Sequence, residues 1–453
     1  MTEKADITGA ICGVWVDDEG GVHTSVSTPN NTREERRQPL RPFAWLADTA
    51  VVDQVGGLTI EPLQGEGTFK RLAHADTLET YNALLRQARD TGGVDSVRSL
   101  ESQFLLQQRE RVFGPIAFGE LRRCQLDIET ASAPGLFSDA ARREDRVLAI
   151  GLRSQGKNRL LVLEELTDAA EKTLLEAFNA TLREEDPDVI EGHNIFKFDL
   201  DYLRQRCRLH KVPLLWGRFG QKATFRNSRL KVAERWIDFP RCDLPGRAIV
   251  DTYLLVQLYD ITTRELTSYG LKDVALYFGI TDEEGGERTY LPGNLIFNTY
   301  QRDRPRFLAY LGDDLRETAG LADLLLPTYF EQTKTFPTLL QEATLRGTTS
   351  KIDLLFLEEY YHARHACPVP PEVKPFEGGY TRSFQEGVFR HVLHFDVASL
   401  YPSLLLHIAR NPKNDPLGVF IPLLKKLRDY RLKFKQLAKT APTEDERAEA
   451  QAR

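Results

Sequence analysis

No apolar run in this 453-residue chain approaches the roughly twenty residues that a helix needs to cross a bilayer, so no membrane span is expected. The opening Met1-Thr2-Glu3-Lys4-Ala5-Asp6 lacks the apolar core of a secretory signal. Cysteine is sparse: Cys12, Cys124, Cys207, Cys242 and Cys367 are odd in number, scattered, and form no C-x-x-C. A disulfide framework or zinc-thiolate site is therefore not expected, and a reducing cytoplasm is the default compartment, nucleoid-associated if the source is prokaryotic. Neither G-x-x-x-x-G-K-[ST] nor G-x-G-x-x-G occurs, which removes P-loop and Rossmann cofactor sites. Positive charge is not in excess either. With a net charge of -6, any polyanion must be held by local basic patches rather than by the whole surface. His362 and His365 form H-x-x-H without a nearby acid in a metal pattern, and read as surface histidines.

What is present is a soluble globular composition, 41% hydrophobic and 28% charged, on a chain long enough for about two to four domains. Residues 7–26 read as a β-hairpin turning at Asp17-Asp18-Glu19-Gly20-Gly21. Residues 30–41 are polar and Pro-bounded, hence a loop. Phe43 to Leu46 and Val51-Val52 suggest short strands, and residues 76–89 have helical spacing. This first region, 1–119, carries no chemical motif and is expected to be an α+β domain.

From Cys124 strands are expected at 124–128, 147–152 and 159–163, followed by a helix at 168–183. Within the first strand, Asp127 and Glu129 share one face because the strand period is two. Two carboxylates so close repel and are costly to bury without a cation; magnesium or manganese suits hard oxygen ligands. Alone, such a triplet is most often a solvated strand edge. Two further segments offer acids. Residues 188–199 run from a short strand through a Gly turn to a helix start at Asp199, which alone could simply cap that helix. Residues 307–315 read as a helix with Tyr310 and Asp314 four apart on one face. A phenol beside a metal-bound carboxylate can orient an attacking water.

Together, Asp127-x-Glu129, Asn194-x-x-x-Phe198-Asp199 and Tyr310-x-x-x-Asp314 resemble the Exo I, II and III motifs of family B DNA polymerases, in the right order. Phe376-Glu377-Gly378-Gly379 resembles the family's Y-x-G-G linker, with Phe for Tyr. Asp396-Val397-Ala398-Ser399-Leu400-Tyr401-Pro402-Ser403 resembles polymerase motif A, and residues 418–435 resemble the start of the fingers. The resemblance implies a ribonuclease H-like 3′–5′ exonuclease domain at 120–330 within an α/β and α+β multidomain chain. Linker helices and the start of a palm would occupy 331–412, and the start of the fingers 413–453.

It also implies roles. Asp127, Glu129 and Asp314 would hold one Mg2+ (or Mn2+), with Asp127 and Asp199 sharing a second about 4 Å away. Tyr310 would orient the water. Asn194, Phe198, Leu136, Phe137, Gly378 and Gly379 would contact DNA, with Leu136 and Phe137 as candidates for a wedge at a frayed 3′ end. Asp396 would be one palm metal ligand, and Ser399, Leu400, Tyr401, Arg431 and Lys435 would bind a deoxynucleoside triphosphate. The strand delivering Asp396, 392–397, is expected to sit centrally in a sheet. Motif B (K-x-x-x-N-S-x-Y-G) and motif C (D-T-D) do not occur in the 453 residues, which departs from the family pattern.

Primer-template and single-stranded DNA are the expected partners, together with a second chain carrying the rest of the palm. From Tyr202 to Ala233 there are nine Lys or Arg and no acid, with Trp216, Phe219 and Phe225 interleaved. That pattern suits single-stranded DNA, though a basic surface over buried aromatics would look the same. Two readings follow: the N-terminal part of a proofreading family B polymerase, or a stand-alone 3′–5′ exonuclease or DNA-binding accessory. The intact motif A favours the first.

Overall fold

The computed structural model describes residues 9–48, 52, 55–90, 93–133, 135–281, 288–369, 380–395, 397 and 399–452. Its contacts divide the chain into two units, one of residues 1–40 with 98–354, the other of 41–97 with 355–451. The first 119 residues, expected to form one domain, are thus shared between the two.

In the first unit a five-stranded sheet has the order Lys157–Val162, Val147–Ser154, Arg123–Thr130, Val189–Gly192, Ala248–Asp251. The first three strands are antiparallel neighbours, and the last two run parallel to Arg123–Thr130. The two short parallel strands, one inner and one at the end of the sheet, are buried along their length. Helices Asp168–Glu185, Asp199–Leu209, Thr252–Thr263 and Arg304–Leu325 accompany the sheet. Leu126, Ile128, Ile150, Leu175, Phe178, Leu203 and Phe307 belong to one buried apolar cluster that unites strands and helices.

A separate three-stranded sheet is formed by Ile11–Val16, Gly21–Ser27 and Arg33–Pro39. The hairpin is where its pattern placed it, but the third strand falls in the stretch expected to be a loop. Gly21 pairs with Pro39 and Ser27 with Arg33 across an antiparallel ladder. Its charged sequence, Arg33-Glu34-Glu35-Arg36-Arg37, is that of a protected edge strand, in which polarity hides the pairing. Arg33 instead turns inward. Its Nε and Nη2 donate to Asp188 at 2.9 and 2.6 Å, and Arg218 Nη2 donates to the same carboxylate at 3.0 Å. All three side chains are buried.

The second unit holds a four-stranded sheet, Leu58–Pro62, Phe69–Ala75, Phe43–Ala47 and Val94–Asp95 in that order, beside helix Leu78–Asp90. Val52 lies in no strand, and Val51 is outside the described residues. Further along are helices Leu400–Ile408 and Phe420–Thr440. The strand expected at 392–397 does not form among its described residues: 392–395 and 397 are irregular. Val392, Leu393 and Phe395 are 72%, 79% and 83% exposed. A strand persists only where neighbours take its backbone hydrogen bonds, and no described residue does so here. Among the described residues, no helix is long and apolar enough to cross a membrane.

Candidate active site

Strand Arg123–Thr130 presents Asp127 and Glu129 to helix Arg304–Leu325. Gly151 lies directly across from Asp127 in the ladder. A Cβ on Gly151 would come within 2.9 Å of Leu315 and 3.0 Å of Leu311, so the missing side chain lets the helix approach. The helix runs against the strand direction. Its Asp323 pairs with Arg123 at one end, and its Asp314 meets Asp127 and Glu129 at the other. One carboxylate oxygen each from Asp127, Glu129 and Asp314 lie within 4.8 Å of one another.

The fourth acid comes from a helix start beside the central strand. Asp199 opens helix Asp199–Leu209, and its Oδ1 accepts the Ile128 N–H at 3.1 Å. The preceding turn is held in place by the end of strand Ala248–Asp251. Asn194 adopts φ 65°, and its N–H donates to Asp251 Oδ1 at 2.8 Å. His193 bridges Thr252 Oγ1 at 2.9 Å and the Tyr269 carbonyl at 2.8 Å. Burial pushes the His193 imidazole down to about 4, so it sits there as the neutral ring.

Burial, reinforced by like charges, pushes the carboxyls of Asp127 and Glu129 well above their ordinary range. Burial alone is the main cause for Asp199, raised to about 8, and for Asp251, raised to about 7. Asp314 is raised by burial but opposed by Arg288, whose Nη2 donates to its Oδ1 at 2.6 Å. The same guanidinium bonds Glu317 at 2.7 Å through Nε. Lys272 Nζ donates to Tyr310 Oη at 2.8 Å. Tyr310 is itself raised, by burial first and then by Asp314, Glu129 and Asp127. Acid thus outweighs base among these largely buried side chains, and their hard oxygen donors suit a divalent cation.

Asp127, Glu129, Asp199, Tyr310 and Asp314 are therefore brought together, with Asn194 and Phe198 in the adjoining turn. Leu136 and Phe137 follow the strand in a loop, 56% and 97% exposed. Ser399, Leu400, Tyr401, Arg431 and Lys435 belong to the second unit. Tyr401 is 73% exposed, and Arg431 and Lys435 lie on the open side of helix Phe420–Thr440. Asp396, Gly378 and Gly379 lie outside the described residues.

The basic aromatic stretch is partly structural. Trp216 is fully buried, Arg206 is locked to buried Glu171, and Arg218 to Asp186 and Asp188. A fully buried arginine requires such partners, so it cannot also serve phosphates. Phe219 stacks on Trp15. Four residues of the site escaped the sequence reading: Lys272, Arg288, Asp251 and Glu317. Lys272, Arg288 and Asp251 sit in segments without motif spacing, whereas Glu317 lies one turn beyond Asp314 on helix Arg304–Leu325.

Residues 106–274 match the model of the DNA polymerase family B exonuclease domain. That match stops short of Tyr310 and Asp314, which the fold adds. The chain is 26% identical over 303 residues to a DNA polymerase of Archaeoglobus fulgidus, covering 65% of this chain and 34% of that protein. It is 27% identical over 264 residues to DNA polymerase II of Escherichia coli, covering 55% and 31%. The chain thus matches about a third of the length of these relatives. A solved family B DNA polymerase from Pyrobaculum calidifontis shares its fold at a TM-score of 0.70 and 20% identity, covering 98% of this chain and 66% of that one. Fold and sequence define an exonuclease domain within a multidomain α/β chain. That domain is of the family B DNA polymerase type, and the chain is related to those polymerases.

Proposed function

We propose that the chain performs 3′–5′ editing for a family B DNA polymerase, removing deoxynucleoside monophosphates from a primer terminus. The observation that carries this reading is the convergence of Asp127, Glu129 and Asp314, with Asp199 and Tyr310 beside them. The sheet order, three antiparallel strands extended by two parallel ones, supports a ribonuclease H-like core.

Asp127, Glu129 and Asp314 would hold one magnesium or manganese ion, and Asp127 with Asp199 a second. Bound there, the ions would supply an activated water and charge relief at the leaving 3′ oxygen. The chain's own residues do the rest. Tyr310 holds the water by its hydroxyl, Asn194 shapes the cleft, and Phe198 and the exposed Phe137 receive the unpaired terminal bases by stacking. For synthesis, we propose that motif A contributes Asp396, and that the second palm carboxylate comes from residues beyond these 453, on the same or a second chain.

With Mg2+, the chain should shorten a 3′ overhang from its 3′ end and release mononucleotides. Undiminished degradation by Asp127→Ala or Asp314→Ala protein would remove the assignment. The 453 residues alone should extend no primer, and real extension would show that the palm needs fewer carboxylates than argued.

A further inference from the structure

Arg288 lies in an irregular stretch that carries no motif, yet its side chain is only 3% exposed. The guanidinium is engaged at all three nitrogens. Nε donates to Glu317 Oε1 at 2.7 Å and Nη1 to the Thr289 carbonyl at 2.9 Å. Nη2 donates to both Glu317 Oε2 at 2.7 Å and Asp314 Oδ1 at 2.6 Å. The surroundings are held in turn. Thr281 Oγ1 donates to Glu317 Oε1 at 2.9 Å, and the Thr289 N–H donates to Asp313 Oδ2 at 2.7 Å. Asp314 and Glu317 stand one turn apart on helix Arg304–Leu325, a spacing that the planar fork of an arginine bridges. A guanidinium so bonded cannot swing aside without leaving a buried acceptor unpaired.

We propose that Arg288 determines which cation the acidic cluster takes: by holding Asp314 Oδ1 it leaves this carboxylate one metal-facing oxygen and so disfavours Ca2+. The inference rests on reading Asp127, Glu129 and Asp314 as a metal site. An oxygen 2.6 Å from a guanidinium nitrogen already has a positive charge beside it, and a second cation there is repelled. Asp314 is then left to ligate through Oδ2 alone. Mg2+ and Mn2+ lose little by this, because small octahedral ions are served by one oxygen from each carboxylate. Ca2+ loses more. It is larger, takes about six to eight oxygens, and draws the extra ones from bidentate carboxylates.

The test is calorimetric titration of the full chain with Mg2+ and with Ca2+. Arg288→Met/Glu317→Gln removes one charge of each sign, so the net charge near the site is unchanged and no buried acid is stranded. Its affinity for Ca2+ relative to Mg2+ should rise about tenfold over wild type, the effect of one further oxygen ligand. In an Asp314→Ala background the same pair of substitutions should leave that ratio where it was, since Arg288 acts through Asp314. A rise of less than about threefold overturns the proposal. So does an equal rise in Asp314→Ala protein, which marks general loosening of the site.

A second measurement uses the wild-type chain and depends on no variant folding. Its crystal structure grown with Ca2+ should show Asp314 ligating through one oxygen, with Arg288 still bonded to the other. A bidentate Asp314, or an Arg288 displaced from it, overturns the proposal. Wild-type protein that binds neither Mg2+ nor Ca2+ at these acids overturns the metal-site reading itself.

Discussion

The N–H of Ile128 donates to Asp199 Oδ1 at 3.1 Å, so the residue between the first two acids is held by the third. One bond fixes the strand and the helix start together. Asp199→Asn keeps an oxygen for that N–H and replaces an ionisable carboxyl of a crowded site with a neutral amide. Trimming should fall at least about a thousandfold, while the melting temperature in chelator holds or rises. A melting temperature that drops in chelator would show that the carboxylate charge is not what strains the site.

Stability should depend on pH in an unusual direction. Burial raises the Asp199 carboxyl to about 8 and that of Asp251 to about 7 in the folded chain, against 3.8 for an ordinary aspartate. Between those values the folded state holds more protons than the unfolded one, so stability falls as pH rises. Metal-free protein should therefore lose melting temperature steadily from about pH 5 to about pH 8. Millimolar Mg2+ should reverse much of the loss by binding only the folded form. A flat or rising profile in chelator over that interval would contradict the burial argument.

Phe137 is 97% exposed, an unusual position for a phenylalanine without a partner. If it stacks on an unpaired terminal base, Phe137→Ala should cost about 1–3 kcal/mol of transition-state binding on frayed duplex ends. The effect on free single strands should be smaller, and the folded stability unchanged. Equal losses on both substrates would assign Phe137 to general strand contact.

Asp188 neutralises Arg33 and Arg218 inside the first unit, all three side chains being buried. Asp188→Ala leaves two buried guanidiniums short of charge and should destabilise by about 3–5 kcal/mol. Chemical denaturation with an unchanged m-value would measure it. A cost under about 1 kcal/mol would mean that water already solvates the group.

The acidic site was legible where chemistry imposes spacing. Asp127-x-Glu129 and Tyr310-x-x-x-Asp314 follow from strand and helix periods, and the structure brings them together. Lys272, Arg288 and Asp251 were not legible, because each reaches the site through tertiary contact from a segment whose pattern serves its own local element. The third strand of the first sheet was hidden for a different reason: an edge strand that shields itself with charge looks like a loop. Trp216 and Arg206 misled in the opposite way. A run without acids looks like a surface patch until the fold supplies Glu171 from another helix.

The Arg33–Asp188 pair joins residues 155 positions apart, and the intervening residues 41–97 belong to the other unit. The unit that holds the acidic site is thus discontinuous along the gene. On a ribosome adding about 5–20 residues per second, the first sheet would wait roughly ten seconds or more for its counter-charge to emerge. Slow codons or a chaperone acting between residues 40 and 188 should therefore influence yield more than changes placed later. Isolating the exonuclease domain therefore requires the segment around Arg33 as well as residues from 98 onward.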